Sequence, residues 1–206
     1  MSEPPVAPFA VAFVTGVTPG KWARVWAERL PRHPLELRPL SAVDALAAVQ
    51  SGAVDAAFLR LPVEDDSLSV IPLYTETSVV VVPKDHPAEA LDELALADLV
   101  GEHVIEGDWA AAVELVAANT GVAIMPQSVA RALSRRDVVA RPLSDGPEPR
   151  IALVWPADRS SGLIEEFTGI VRGRTANSSR GVPTPPTPKE PRRKQPKPDR
   201  RPSRRR

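Results

Sequence analysis

The sequence contains no cysteine. Disulfide scaffolds, thiolate zinc sites and thiol redox centres are therefore excluded within these residues. Histidine is scarce too: His33, His86 and His103 stand alone, with no HxxxH or HExxH spacing, so no metal site is expected. No apolar run approaches the ~18–20 residues that a membrane span needs. The opening Met1-Ser2-Glu3-Pro4-Pro5 has neither a basic region nor a long apolar one. No signal peptide is read there, and the cytoplasm is the expected location, with no membrane partner. Also missing are a G-x-S-x-G elbow, a P-loop and a G-x-G-x-x-G turn. The acidic neighbours Glu64-Asp65-Asp66 and Glu165-Glu166 read as solvated faces, so neither catalysis nor a cofactor is expected.

What is present is an uneven distribution of charge. Lys plus Arg and Asp plus Glu both number 26 in 206 residues, a formal charge of zero. Residues 181–206 hold ten basic side chains against Glu190 and Asp199, a net of +8, and eight of the 24 prolines. Residues 1–180 are correspondingly −8. An acidic globular body thus precedes a basic, Pro-rich tail without apolar periodicity, which is expected to be disordered.

The body alternates strand and helix signals. Phe9–Val14 is a short apolar run closed by Thr15-Gly16-Val17-Thr18-Pro19-Gly20, as for a strand buried on both faces. After Pro19, Trp22, Val25, Trp26 and Leu30 recur at helical spacing, and the two tryptophans are better read as core than as a stacking platform. Leu35–Leu40 reads as a strand. Ser41 with Asp44 caps a helix over Ala42–Gln50, stopped at Gly52. Val54–Leu59 is a third strand. This β-α-β-α-β order implies parallel strands joined by right-handed crossovers. Further strands are predicted at Leu68–Tyr74, Thr77–Val82, His103–Ile105, Val122–Met125, Val138–Ala140 and Ile151–Trp155. Helices are predicted at Leu94–Leu99, Ala110–Ala118, Pro126–Leu133 and Leu163–Val171.

Several stretches, in order, resemble the substrate-binding (effector) domain of LysR-type transcriptional regulators. They are Ser51-Gly52-Ala53-Val54-Asp55-Ala56-Ala57-Phe58, Ile71-Pro72-Leu73-Tyr74-Thr75-Glu76, Val79–Val82 with Pro83-Lys84-Asp85-His86-Pro87, Leu96-Ala97-Asp98-Leu99, and Val116–Pro126 with its Gly121-Val122-Ala123-Ile124-Met125-Pro126 turn. The stretch resembles in particular a stand-alone, actinobacterial-like form with a basic tail. Two departures stand out. The first strand begins by Phe9, so no helix-turn-helix headpiece is expected before it. Between Ile105 and Ala110, Glu106-Gly107-Asp108-Trp109 replaces a longer helix and strand.

The resemblance implies an α/β, two-lobed, type 2 periplasmic-binding-protein-like fold with mainly parallel sheets and a shortened second lobe. The expected divisions are residues 1–82 for the first lobe, 83–142 for the second, 143–180 for the return and 181–206 for the tail. The chain would cross between lobes near Val82-Pro83 and return near Pro142. Ligands in open α/β sheets sit beyond the C-terminal strand ends. The candidate ligand residues are Thr15, Gly16 and Thr18 after the first strand, Arg60 after the third, and Gln127 and Ser128 after Pro126. Arg60 could clamp an effector carboxylate, or form an ion pair at the surface or between lobes. Thr15 and Thr18 read equally as caps of the first helix, and Ser128 reads first as a simple N-cap.

In the tail, Arg192, Arg193, Lys194, Arg200, Arg201, Arg204, Arg205 and Arg206 could hold a phosphate backbone without sequence preference. The competing reading is a solubilising segment that contacts nothing in particular. The leading expectation is an effector sensor in transcription, binding a small anionic molecule, with a homodimer implied by the resemblance. The alternatives are a nucleic-acid-associated accessory protein and a stand-alone solute-binding protein, the last disfavoured by the missing signal peptide.

Overall fold

The computed structural model describes residues 7–159 and 161–173. The tail residues proposed above to contact nucleic acid lie outside the described residues. In the described part, eight strands and five helices run β1 (Phe9–Phe13), α1 (Gly20–Arg29), β2 (Leu35–Pro39), α2 (Ala42–Ser51), β3 (Ala56–Arg60), β4 (Leu68–Thr75), β5 (Ser78–Pro83), α3 (Trp109–Ala117), β6 (Ala123–Pro126), α4 (Gln127–Ala132), β7 (Val138–Pro142), β8 (Arg150–Pro156) and α5 (Gly162–Val171).

Local chemistry accounts for most of these boundaries. The Ser41 hydroxyl accepts from the Asp44 amide at 3.1 Å, so α2 starts where the capping pair predicts. It stops at Gly52, whose φ of 75° is the left-handed conformation a helix C-terminus favours. Asp108 caps α3 through the Ala111 amide, and Ser161 caps α5 through that of Ile164. Two expected elements are reduced. Leu94–Leu99 narrows to a 3-10 turn over Leu96–Leu99, and His103–Ile105 makes only a single bridge, Val104 to Val122.

The strands form two sheets, in the orders β2-β1-β3-β8-β4 and β6-β5-β7. Strands β2, β1 and β3 are parallel, as the β-α-β-α-β reading requires. In the first sheet β8 alone is reversed, antiparallel to both β3 and β4. In the second, β5 runs against both β6 and β7. The first sheet is thus mixed, with β8 alone running back, and the second is antiparallel in both of its pairings, so parallel pairing among the named strands is confined to β2, β1 and β3.

The expected crossing points are corrected by this pairing. Val79–Val82 pair with β6 and β7, so the second lobe begins at Ser78 and the chain crosses at Glu76-Thr77 rather than at Val82-Pro83. The return runs from Leu143 to Arg150. The two crossing segments are bonded to each other: the Glu76 amide donates to Pro149 O at 2.7 Å, and the Leu143 amide to Ser78 O at 3.1 Å. The Ser78 hydroxyl also donates to Pro147 O. The apolar run at Thr77–Val82 marked a strand correctly. It carried no information about which sheet that strand joins.

Aromatic side chains are few, and five of the nine meet in the first lobe. Phe9 stacks on Trp26 with centroids 4.9 Å apart, Trp22 stacks on Phe58 at 4.7 Å, and Phe167 of α5 closes on Trp26 and Phe58 edge-on. Trp22 and Trp26 are 7% and 1% exposed, so both are core, as their spacing suggested. Such pairs add about 0.5–1.5 kcal/mol each beyond the area they bury. The second lobe instead packs aliphatic residues on both faces of β5, Val79 and Val81 on one and Val80 and Val82 on the other.

Candidate functional site

The crossing at Glu76 places a carboxylate between the lobes. Arg60, the last residue of β3, reaches it in a forked arrangement: Nε donates to Glu76 Oε2 at 2.7 Å and Nη2 to Oε1 at 3.2 Å. Ser128, in the first turn of α4 and therefore in the second lobe, joins the pair. Arg60 Nη2 donates to Ser128 Oγ at 3.2 Å, and the Ser128 hydroxyl donates to Glu76 Oε1. Side-chain exposures are 12% for Arg60 and 5% for Glu76. On the other side, Trp109 at the start of α3 offers its ring to the guanidinium, 5.2 Å from the centroid, a cation–π contact. One arginine from the first lobe thus touches two elements of the second and the segment joining them.

Gly16 covers this cluster. Its φ is +91°, and a Cβ added there would overlap the Ser128 hydroxyl while standing 3.0 Å from Arg60 Nη2 and from the Ser128 carbonyl carbon. Glycine is required on both counts, since the left-handed conformation and the close approach each exclude a side chain.

Above the cluster lies a cleft of about 430 Å³, bordered by Gly16, Thr18, Lys21 and Trp22 of the first lobe, by Tyr74–Thr77 at the crossing, and by Gln127, Ser128 and Arg131 of the second. Burial pushes the Tyr74 phenol up, the Glu76 carboxylate adds to that, and the Arg60 guanidinium opposes it. Its hydroxyl is consequently a protonated donor at neutral pH. A larger groove of about 970 Å³ lies on the second lobe, away from this cluster, around Lys84–Pro87 and Arg135–Asp137. There Arg135 is already engaged by Asp137, through two bonds of 2.9 Å, and by Glu114. Among the described residues no group of His, Asp and Glu is placed to hold a metal ion, and no helix is long and apolar enough to cross a membrane.

Of the six ligand residues expected from sequence, Gly16, Arg60 and Ser128 come into direct contact. Thr18 and Gln127 border the cleft, whereas Thr15 is exposed and outside its border. The capping alternatives are not observed. Pro19 precedes α1 with no side-chain cap, and α4 begins one residue before Ser128, because the Gln127 amide bonds to Thr77 O at 2.8 Å. That bond leaves the Ser128 hydroxyl free to turn toward Glu76. For Arg60 the inter-lobe ion pair is what forms. Sequence reasoning missed Glu76, Trp109, Lys21, Tyr74 and Arg131. The available signal for Glu76 was a lone acidic residue interrupting two apolar strands. Trp109 was visible only as part of the short connection after Ile105.

The sequence matches the family described as the LysR substrate binding domain over residues 19–109 and 107–176. The two stretches meet at the short connection that begins α3. A probable hydrogen peroxide-inducible genes activator from Mycobacterium leprae is 29% identical over 201 residues, covering 82% of this chain and 61% of that protein. The OxyR dual regulator of Escherichia coli is 24% identical over 178 residues, covering 71% of this chain and 58% of its own. Among solved structures, the BenM effector binding domain with its effector benzoate superposes with a TM-score of 0.68 at 19% identity, covering 80% of this chain and 90% of that one. The likeness to BenM concerns the fold alone. The chain spans between about a third and three fifths of the length of the first curated relatives it matches, which are described as activators of gene expression. With more than half of its residues matched in order, and with a polar cleft bordered by both of its lobes, this chain belongs to the LysR substrate binding domain family.

Proposed function

We propose that the domain senses a small anionic molecule in the cleft between its lobes and conveys its presence to transcription. The supporting observation is the composition of the cleft border. Lys21 of the first lobe and Arg131 of the second both border the cleft, and Thr18, Tyr74, Thr77 and Gln127 add polar groups. A cleft of this size falls within the range of small-ligand sites, and a cation on each lobe lets an anion draw the lobes together. Relatives are named for induction by hydrogen peroxide. With no cysteine among its 206 residues, this chain cannot answer peroxide by thiol oxidation, which favours reversible ligand binding. The test is thermal shift and calorimetry against aliphatic and aromatic carboxylates, phosphates and matched neutral analogues. Anions are expected to stabilise the wild type and to lose that effect in Lys21→Ala/Arg131→Ala. A panel without any stabilising member refutes the reading, and stabilisation by the neutral analogues alone refutes its charge.

A second reading rests on the charge division of the sequence: the +8 of residues 181–206 would attract nucleic acid without reading its sequence, as an accessory to the domain. A chain ending at Arg180 that binds DNA at low salt as tightly as full length would exclude it. A homodimer of the domain belongs to the same proposal.

A further inference from the structure

We infer that Glu76 is a tethered carboxylate filling the anion seat of Arg60, so that the cleft reads an anionic effector at Lys21 and Arg131 and excludes it from Arg60. The effector part of this inference rests on the ligand-sensing role proposed above; the seat itself does not. The guanidinium fork of an arginine is the natural partner of a carboxylate, and Arg60 is placed as an effector clamp would be, at the C-terminal end of a parallel strand beside the cleft.

The fork is full. Glu76 Oε2 takes Nε, Oε1 takes Nη2, and the Ser128 hydroxyl supplies Oε1 with a second donor. That is the coordination a free carboxylate would receive, delivered by a side chain of the protein. The Glu76 backbone is held independently, its amide bonded to Pro149 O at 2.7 Å. Shortening the side chain therefore vacates the seat without releasing the crossing strand. The walls of the seat come from separate elements: the loop at Gly16, Trp109 of α3 and Ser128 of α4. A second carboxylate arriving at Arg60 would meet the Glu76 charge at contact distance. Lys21 and Arg131, by contrast, have no acidic partner among the described residues and border the open cleft. Glu76 is in this sense a specificity-determining residue. It neutralises the deep end of the cleft and leaves the border cations to select the ligand.

The experiment is chemical rescue with formate, the smallest carboxylate, with chloride at equal ionic strength as control. Wild type, Glu76→Ala and Arg60→Met/Glu76→Ala are followed by thermal unfolding and circular dichroism. Formate is expected to raise the Tm of Glu76→Ala by about 3–6 °C at a tenfold excess over its Kd. It should raise neither wild type, whose seat is occupied, nor the double variant, which lacks the fork. If Glu76→Ala does not fold in plain buffer, refolding yield is read instead; restoration by formate and not by chloride supports the seat, and equal yields overturn it. A folded Glu76→Ala indifferent to formate, or a wild type that gains as much, also overturns the inference. Because formate is the probe, a failed effector panel and a failed rescue are separate outcomes.

Discussion

Replacing Arg60 by Met removes the positive half of an ion pair whose side chains are 12% and 5% exposed. Neither group is exposed enough for solvent screening to excuse the loss, so the cost falls in the range for breaking a buried pair, about 3–5 kcal/mol. Glu76→Leu strands the guanidinium and costs a similar amount. Combining the two changes leaves no buried charge, and only the Ser128 hydroxyl, deprived of both partners, carries a penalty of about 1–3 kcal/mol. The double variant is thus expected to be more stable than either single one, with a coupling of at least about 3 kcal/mol in the double-mutant cycle. For a chain of this size each single change corresponds to a Tm lowered by about 6–20 °C. Urea unfolding followed by tryptophan fluorescence measures all four corners of the cycle, and Trp109, beside Arg60, reports locally. Single variants within about 1 kcal/mol of wild type, or a double variant costing the sum of the two, would refute the claim that this pair joins the lobes.

Gly16→Ala introduces a side chain at φ +91° and pushes against Ser128 and Arg60. A loss of about 1–3 kcal/mol is expected in urea unfolding, and an unchanged midpoint would show that the loop gives way freely. The Asp137 carboxyl is held below its usual range chiefly by its hydrogen bonds from Arg135. A depressed folded value means stabilisation present above the unfolded value, about pH 4, and lost as pH falls through the folded one. The difference in urea midpoint between wild type and Asp137→Asn should accordingly shrink below about pH 4. A difference that stays constant from pH 7 to pH 3 contradicts the assignment.

Much of the first lobe was legible because its signals are local. Ser41 and Asp44 are three residues apart, Gly52 ends the helix they begin, and Trp22 and Trp26 lie one turn apart on one helical face. Periodicity and capping act over these same few residues, and parallel pairing of β1, β2 and β3 follows from the short crossover connections. The candidate site was half legible. Strand ends directed attention to Gly16, Arg60 and Ser128, because ligand loops follow strands in such sheets. What Arg60 does there was not legible. Its partner lies sixteen residues along the chain, beyond a strand, and Ser128 lies a further 52 residues on.

By itself the sequence determined the absence of thiol chemistry, the division into an acidic body and a basic tail, and the order of strands and helices that marks the family. Composition and short-range periodicity suffice for each of these. Only the tertiary structure decided that β5 belongs to the second sheet, that the crossing therefore falls at Glu76, and that this residue meets Arg60 under Gly16. Sheet membership is chosen by which long-range pairing buries the valines of β5 on both faces. Once that choice is made, the carboxylate at the crossing is largely withdrawn from water and pairs with the guanidinium of Arg60.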